Sequence, residues 1–245
     1  MREASTLNMP GEFYVFEKHK EFKGANTAEM AKLRAEGREP MPVASILQRR
    51  LDVMEDSGDV RGYWTDNYFD TGDAVLRNPN GDVKIVRGSP LLWGINSDTT
   101  LRNGAVPLTN EQWEEPTRDN VLVVPAKRAK ELDGKLYSQK SVKDVDEWNF
   151  LAGDHDRLVA YADAFFPEMK EIFGFDEAMG IYLPSTQETP IMRAWCVDRV
   201  FNGSSASGGS YLFDGSGRLV GVIAPEAQDA LGKGVPVDPS LLRAE

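Results

Sequence analysis

Nucleophilic catalysis needs a nucleophile, a base within hydrogen-bond reach and a group that orients the base. The sequence offers few parts for this: two histidines and one cysteine among 245 residues. Every imidazole-dependent mechanism must pass through His19 or His155. His19 stands in Glu17-Lys18-His19-Lys20, a charged stretch that reads as solvated, and His155 stands in Asp154-His155-Asp156, at an expected helix start. The most pointed nucleophile candidate is Ser207 in Ser207-Gly208-Gly209. Cys196 alternates with Met192 and Ala194 along an expected strand and reads as a buried small apolar residue.

Ser207-Gly208-Gly209 is followed by a turn and by Gly217-Arg218-Leu219-Val220-Gly221-Val222. Over residues 205–222 this resembles the nucleophile segment of chymotrypsin-like serine proteases. The resemblance implies acyl transfer, with Ser207 as nucleophile and the loop amides as oxyanion hole. The pattern departs at Ser205, where that family carries glycine, and no Thr-Ala-Ala-His-like segment lies upstream. His155 is the base left to this alternative, a serine hydrolase built on Ser207 and His155.

Other chemistries find no frame. Asp154, His155 and Asp156 are adjacent, and only helix positions three or four apart share a face, so they read as an N-cap and a first acidic turn rather than metal ligands. Counted from Asp214, the calcium-loop positions that require Gly and Glu hold Leu219 and Pro225, so the pattern fails. No Gly-Lys-Ser/Thr phosphate loop and no Gly-x-Gly-x-x-Gly after a strand are present. The expectation is no metal and no cofactor.

Composition narrows the class further. Lys+Arg 28 against Asp+Glu 39 gives a net charge of −11, spread over every quarter of the chain. A negative surface repels nucleic acid, which needs clustered cations. The local basic run Lys127, Arg128, Lys130, Lys135, Lys140 and Lys143 reads as a solvated helix face and the loop after it. No apolar stretch reaches the ~20 residues of a membrane span, and a lone cysteine cannot form a disulfide within the chain. No apolar leader follows Met1, so the expected location is cytoplasmic, or assembled inside a cell.

These residues must be positioned by elements of both kinds. Residues 12–17 read as a strand. Asn26-Thr27-Ala28-Glu29 reads as a capping box for a helix that Gly37 stops. Val43, Ile46, Leu47, Leu51 and Met54 make an apolar helical stripe with Gln48, Arg49 and Arg50 off it, and Gly58 closes that helix. Residues 63–69 read as a packed loop. Asp73–Arg77 and Asp82–Val86 flank Asn78-Pro79-Asn80-Gly81 as a hairpin. Residues 90–95 suggest a strand, Thr109 a capping box, and 121–124 a buried strand leading to a basic helix that Gly134 ends. Ser141 and Asp154 read as caps of two helices, the second interrupted at Pro167. Residues 191–201 read as a long strand. Tyr211–Phe213 and Arg218–Ile223 read as a second hairpin about Asp214-Gly215-Ser216-Gly217. A helix from Pro225 and a mobile tail at 232–245 complete the chain.

Strands and helices mix without a βαβα rhythm. The expected class is α+β, with antiparallel hairpins and a β-rich last third, in one domain over 1–245. Any subdomain boundary falls near 116–120. With no nucleophile–base–orienter set in recognisable spacing, the leading expectation is a non-catalytic protein-binding or assembly subunit. Its partners are other protein subunits or further copies of itself, not nucleic acid or membrane. Tyr63, Trp64 and Tyr68, aromatic residues in a turn-rich segment, are its candidate binding residues. A small-ligand-binding domain using the loops near 60–104 is the third alternative.

Overall fold

The computed structural model describes residues 18–56, 58–116 and 120–223. The strand at 12–17, the helix from Pro225 and the tail at 232–245 lie outside the described residues. The 116–120 boundary lies partly outside them.

The β-strands are β1 (His19–Lys23), β2 (Arg38–Pro40), β3 (Phe69–Arg77), β4 (Val83–Val86), β5 (Val106–Pro107), β6 (Val121–Val124), β7 (Lys135–Tyr137), β8 (Ala178–Tyr182), β9 (Ile191–Val197), β10 (Ala206–Ser207) and β11 (Arg218–Ile223). They join in one mixed sheet of order β1-β11-β3-β9-β10-β8-β7, with β4 and β6 extending from β3. The helices are α1 (Asn26–Ala35), α2 (Val43–Asp52), α3 (Gly58–Thr65), α4 (Pro90–Trp93), α5 (Asn110–Glu114), α6 (Ala126–Leu132), α7 (Gln139–Val142), α8 (Asp146–Ala152) and α9 (His155–Phe173). The α+β class expected from the sequence is the class observed.

The central strands are buried on both faces, and the two-residue period of a strand divides their side chains between two cores. Val75 of β3 and Trp195 and Val197 of β9 join Ile46, Leu47, Trp148 and Phe165 on the side of α2, α8 and α9. Ala74, Leu76, Met192 and Ala194 join Met30, Leu33, Leu92 and Trp113 on the side of α1, α4 and α5.

Several local signals act as their chemistry dictates. Gly81 takes φ +98° in the β3–β4 turn. Thr109 and Gln112 complete a reciprocal capping box on α5. Asp154 accepts a hydrogen bond from Arg157 N at 2.7 Å at the start of α9.

Other elements differ from the sequence reading. α1 is capped by Ala25 with no side-chain bond, so Asn26 is not the cap. Gly58 opens α3 rather than closing the previous helix, and α3 takes in Tyr63 and Trp64, which were expected in a loop. Residues 90–93 are helical, because Ser89 Oγ accepts from Leu92 N and Pro90 suits a first turn. Ser138, not Ser141, caps α7, and a separate α8 follows. Pro167 lies inside an unbroken α9. β6 is only partly buried, with Val123 57% exposed. β9 stops at Val197. Residues 211–213 are not a strand, and β11 pairs instead with β1, β2 and β3. His19 is buried rather than solvated, with its ring edge-on to Trp64 at 5.7 Å.

Candidate binding site at the end of the central strands

Two pairings build the floor of a pocket. Asp70 of β3 stands opposite Cys196 of β9, and Cys196 stands opposite Ser207 of β10. Directly opposed residues of antiparallel strands project on one face, so three residues remote in sequence form one row. Around them Tyr68, Asp198, Ser210, Tyr211, Asp214, Ser216 and Gly217 complete a pocket of about 300 Å³.

Close packing fixes its walls. A Cβ at Gly217 would lie 2.5 Å from Gly24 O and 3.0 Å from Asp70 Oδ2, so only glycine lets this turn approach the strand ends. Asp70 Oδ2 accepts from Arg218 N at 2.9 Å. Asp214 Oδ1 accepts from both N and Oγ of Ser216 at 2.8 Å. The Tyr68 hydroxyl donates to Ser216 O at 2.5 Å.

Tyr211 is held from two sides. Buried Arg193 donates to Gly209 O and to Asn103 O, tying the 103–104 and 209–211 loops together. Its guanidinium lies 4.7 Å from the Tyr211 ring centre. Gly104, at φ +73°, leaves room for the ring against its backbone. Phe213 stacks on Tyr211 with ring centres 5.3 Å apart and planes at 24°. The two rings are 49% and 57% exposed.

Burial raises the Asp70 carboxyl to about 6, with Asp214 adding to the rise. Burial also raises the Cys196 thiol, and the carboxylates of Asp70 and Asp198 push it further. The pocket is therefore acidic, and its one thiol is held protonated.

The residues singled out in the sequence are dispersed. Ser207 and Tyr68 line the pocket. Ser207 Oγ accepts from Gly209 N at 3.2 Å. His155 is exposed at the start of α9, bonded through Nδ1 to Asn149 Oδ1, and does not line the pocket. Trp64 is 1% exposed and packs in the core with Phe69. Tyr63 packs beside it with its hydroxyl buried. Sequence reasoning missed Tyr211 and Phe213 as exposed rings because it placed them in a strand. It also left Asp70 unassigned, because its partners come from β9 and β11. Among the described residues no group of three His, Cys, Asp or Glu is arranged to hold a metal ion. No helix among them is long and apolar enough to cross a membrane.

A second cavity, of about 560 Å³, lies beside α4 and α5, with Leu91, Ile95, Leu108 and Met192 in its wall. Two of its polar groups serve the local backbone: Ser89 Oγ caps α4 and Gln112 Oε1 accepts from Thr109 N.

No protein-family model and no curated protein matches the sequence. A solved structure reported as "Accommodation of massive sequence variation in Nanoarchaeota by the C-type lectin fold" matches with a TM-score of 0.63 and 15% identity, over 86% of this chain and 99% of that one. At that identity the likeness is one of architecture, and it extends over nearly the whole of the solved chain: this protein has a C-type lectin-like fold.

Proposed function

We propose that this chain is a non-catalytic protein-binding subunit whose contact surface is the pocket mouth framed by Tyr68, Tyr211 and Phe213. The observation that carries the reading is the exposed Tyr211–Phe213 stack. Two large stacked rings held half in water, one of them against a buried arginine, are costly for a surface with no partner, and aromatic residues are enriched where partners dock. Because the platform is ordered before binding, little side-chain entropy is lost on contact. The Nanoarchaeota structure, described as accommodating massive sequence variation, supports a scaffold that tolerates change around it.

The test is site-specific photo-cross-linking in cells, with benzoylphenylalanine introduced at Phe213 and, as a control, at exposed Glu171. A discrete protein adduct from position 213, lost when Tyr211→Ser is added, is the expected result. Identical adducts from both positions, or none from 213, would overturn the reading.

The cavity beside α4 favours a second reading, small-ligand binding, because its volume lies within the range of ligand clefts, roughly 300–1,000 Å³. A fragment screen by thermal shift tests it: stabilising fragments whose effect vanishes in Met192→Trp support it, and a blank screen removes it.

A further inference from the structure

We infer that β6 is a docking edge at which two copies of this chain pair, antiparallel, about a two-fold axis through Leu122. The inference goes beyond the aromatic contact surface proposed above and does not depend on it.

An edge strand presents backbone donors and acceptors to any passing strand, and proteins blunt such edges with charge, proline or bulges. Four edge strands of this sheet are blunted in these ways. β1 carries Lys20, Glu21 and Lys23, β2 ends in Pro40, β5 ends in Pro107, and β7 carries Lys135 and shifts register before Tyr137. β6 is Val121-Leu122-Val123-Val124, with neither charge nor proline, and among the described residues it pairs with β4 alone. Its Val123 side chain is 57% exposed.

The register with β4 decides which backbone groups face outward. Val121 stands opposite Val86, and Val124 opposite Val83. One step earlier in the same register, Arg87 N donates to Asn120 O at 2.9 Å. Bonded and non-bonded pairs alternate along an antiparallel ladder. Asn120, Leu122 and Val124 therefore bond toward β4, while Val121 and Val123 turn their N–H and C=O groups outward.

A second copy satisfies those groups with the same two residues. With Leu122 opposite its own counterpart, Val121 stands opposite Val123 of the other copy, and Val123 opposite Val121. Each of these two pairs exchanges two N–H···O bonds. Centring the axis on Val123 instead sets Val121 against Pro125, which has no N–H and whose carbonyl already accepts from Ala129 N at 2.9 Å. Opposed residues share a face, so the exposed Val123 side chain gains an apolar neighbour. Charge favours the same arrangement. Exposed Glu114 and Glu115 lie at the α5 end of the edge, and exposed Lys127 and Lys130 lie on α6 at the other. Antiparallel pairing brings opposite charges together at both ends, whereas parallel pairing sets like against like.

The experiment is sedimentation equilibrium of the full chain from about 5 to about 500 µM, which brackets the dissociation constant on the order of 50 µM expected of a short strand pair. A monomer–dimer equilibrium is the expected result. Val123→Lys alters a side chain already turned to solvent, so it should leave the fold intact and weaken the dimer by about tenfold or more. Tyr211→Ser should leave the dimer unchanged. Leu122→Cys in a Cys196→Ala background should form a disulfide between copies on mild oxidation, because the two-fold register sets residue 122 opposite itself. A monomer at every concentration, a dimer that survives Val123→Lys or is lost in Tyr211→Ser, or no disulfide at 122 would overturn the inference. A monomer whose Val121 and Val123 amides exchange as slowly as those of Leu122 and Val124 would overturn it in favour of a segment of the same chain covering the edge.

Discussion

The guanidinium of Arg50 on α2 donates to Ser204 Oγ at 2.9 Å, across 154 residues of sequence, in a place where both side chains are fully buried. The same guanidinium donates to Tyr161 Oη and to the carbonyls of Trp64, Asn67 and Asp198, so all five of its N–H bonds are engaged. Its partners are neutral oxygens. It joins α2, α3 and α9 to the segment that enters the pocket, and Ser204 takes φ +52° to meet it.

Arg50→Lys should therefore cost much more than a surface exchange. A lysine has three donors on a flexible stem and cannot reach five acceptors arranged for a planar fork. Leaving several buried oxygens unpaired should destabilise by about 3–5 kcal/mol, while Ser204→Ala, which removes one bond, should cost about 1–2 kcal/mol. Urea unfolding measures both. An Arg50→Lys cost below that of Ser204→Ala would refute the account.

His19 predicts an acid-sensitive term. Burial pushes its imidazole down to about 3, with the positive charges of Arg49, Lys18 and Arg38 adding to the effect. Below pH 6.5 the unfolded chain takes up this proton while the folded chain refuses it, so the stability this group contributes is present above 6.5 and is lost as pH falls toward 3. His19→Phe removes the term. The variant should gain about 3 kcal/mol on the wild type between pH 7 and pH 4.5. Buried Asp70 and Asp73, both raised to about 6 mainly by burial, work in the opposite direction: they stabilise below about 4 and lose that contribution as pH rises through 6. The difference between the two proteins isolates the histidine, and parallel pH profiles would exclude the assignment.

What was legible in the sequence depended on how local the cause was. The β3–β4 turn, the Thr109 capping box and the Asp154 cap are each decided within four residues, and each was visible. Asp214-Gly215-Ser216-Gly217 carries an equally good turn signal, yet β11 takes its partners from β1, β2 and β3, and no local rule encodes that choice. Arg50 reads as solvent-facing because its charge is visible and its five acceptors, scattered from Trp64 to Ser204, are not. The candidate site failed to show for the same reason. Asp70, Cys196 and Ser207 meet through strand register, and Tyr211 is placed by a glycine far upstream.

That glycine gives a direct test of the platform. At Gly104 a Cβ would collide with the Tyr211 ring, and φ +73° is strained for any side chain. Gly104→Ala should cost about 1–3 kcal/mol of stability. It should also displace Tyr211, seen as a change in its aromatic NMR signals, and weaken the cross-link from position 213. Unchanged Tyr211 signals would show that the ring does not depend on this contact.

Ser207 and Cys196 share the pocket floor, and its chemistry predicts that both are inert. A serine becomes a strong nucleophile when a base takes its proton, but the pocket lining includes no imidazole, and Ser207 Oγ is bonded to Gly209 N. The thiol of Cys196 is 5% exposed and held protonated by burial and by the two nearby carboxylates, whereas the reactive form is the thiolate. Folded protein treated with a fluorophosphonate should carry no adduct on Ser207 by peptide mass mapping. At pH 8 a disulfide reagent should modify Cys196 far more slowly in folded than in urea-unfolded protein. Asp70→Asn removes one of those carboxylates while leaving the thiol buried, so it should raise the folded-state rate only slightly. A stoichiometric Ser207 adduct would put the hydrolase alternative ahead of the binding reading, because labelling of that extent requires a base close to the serine in solution.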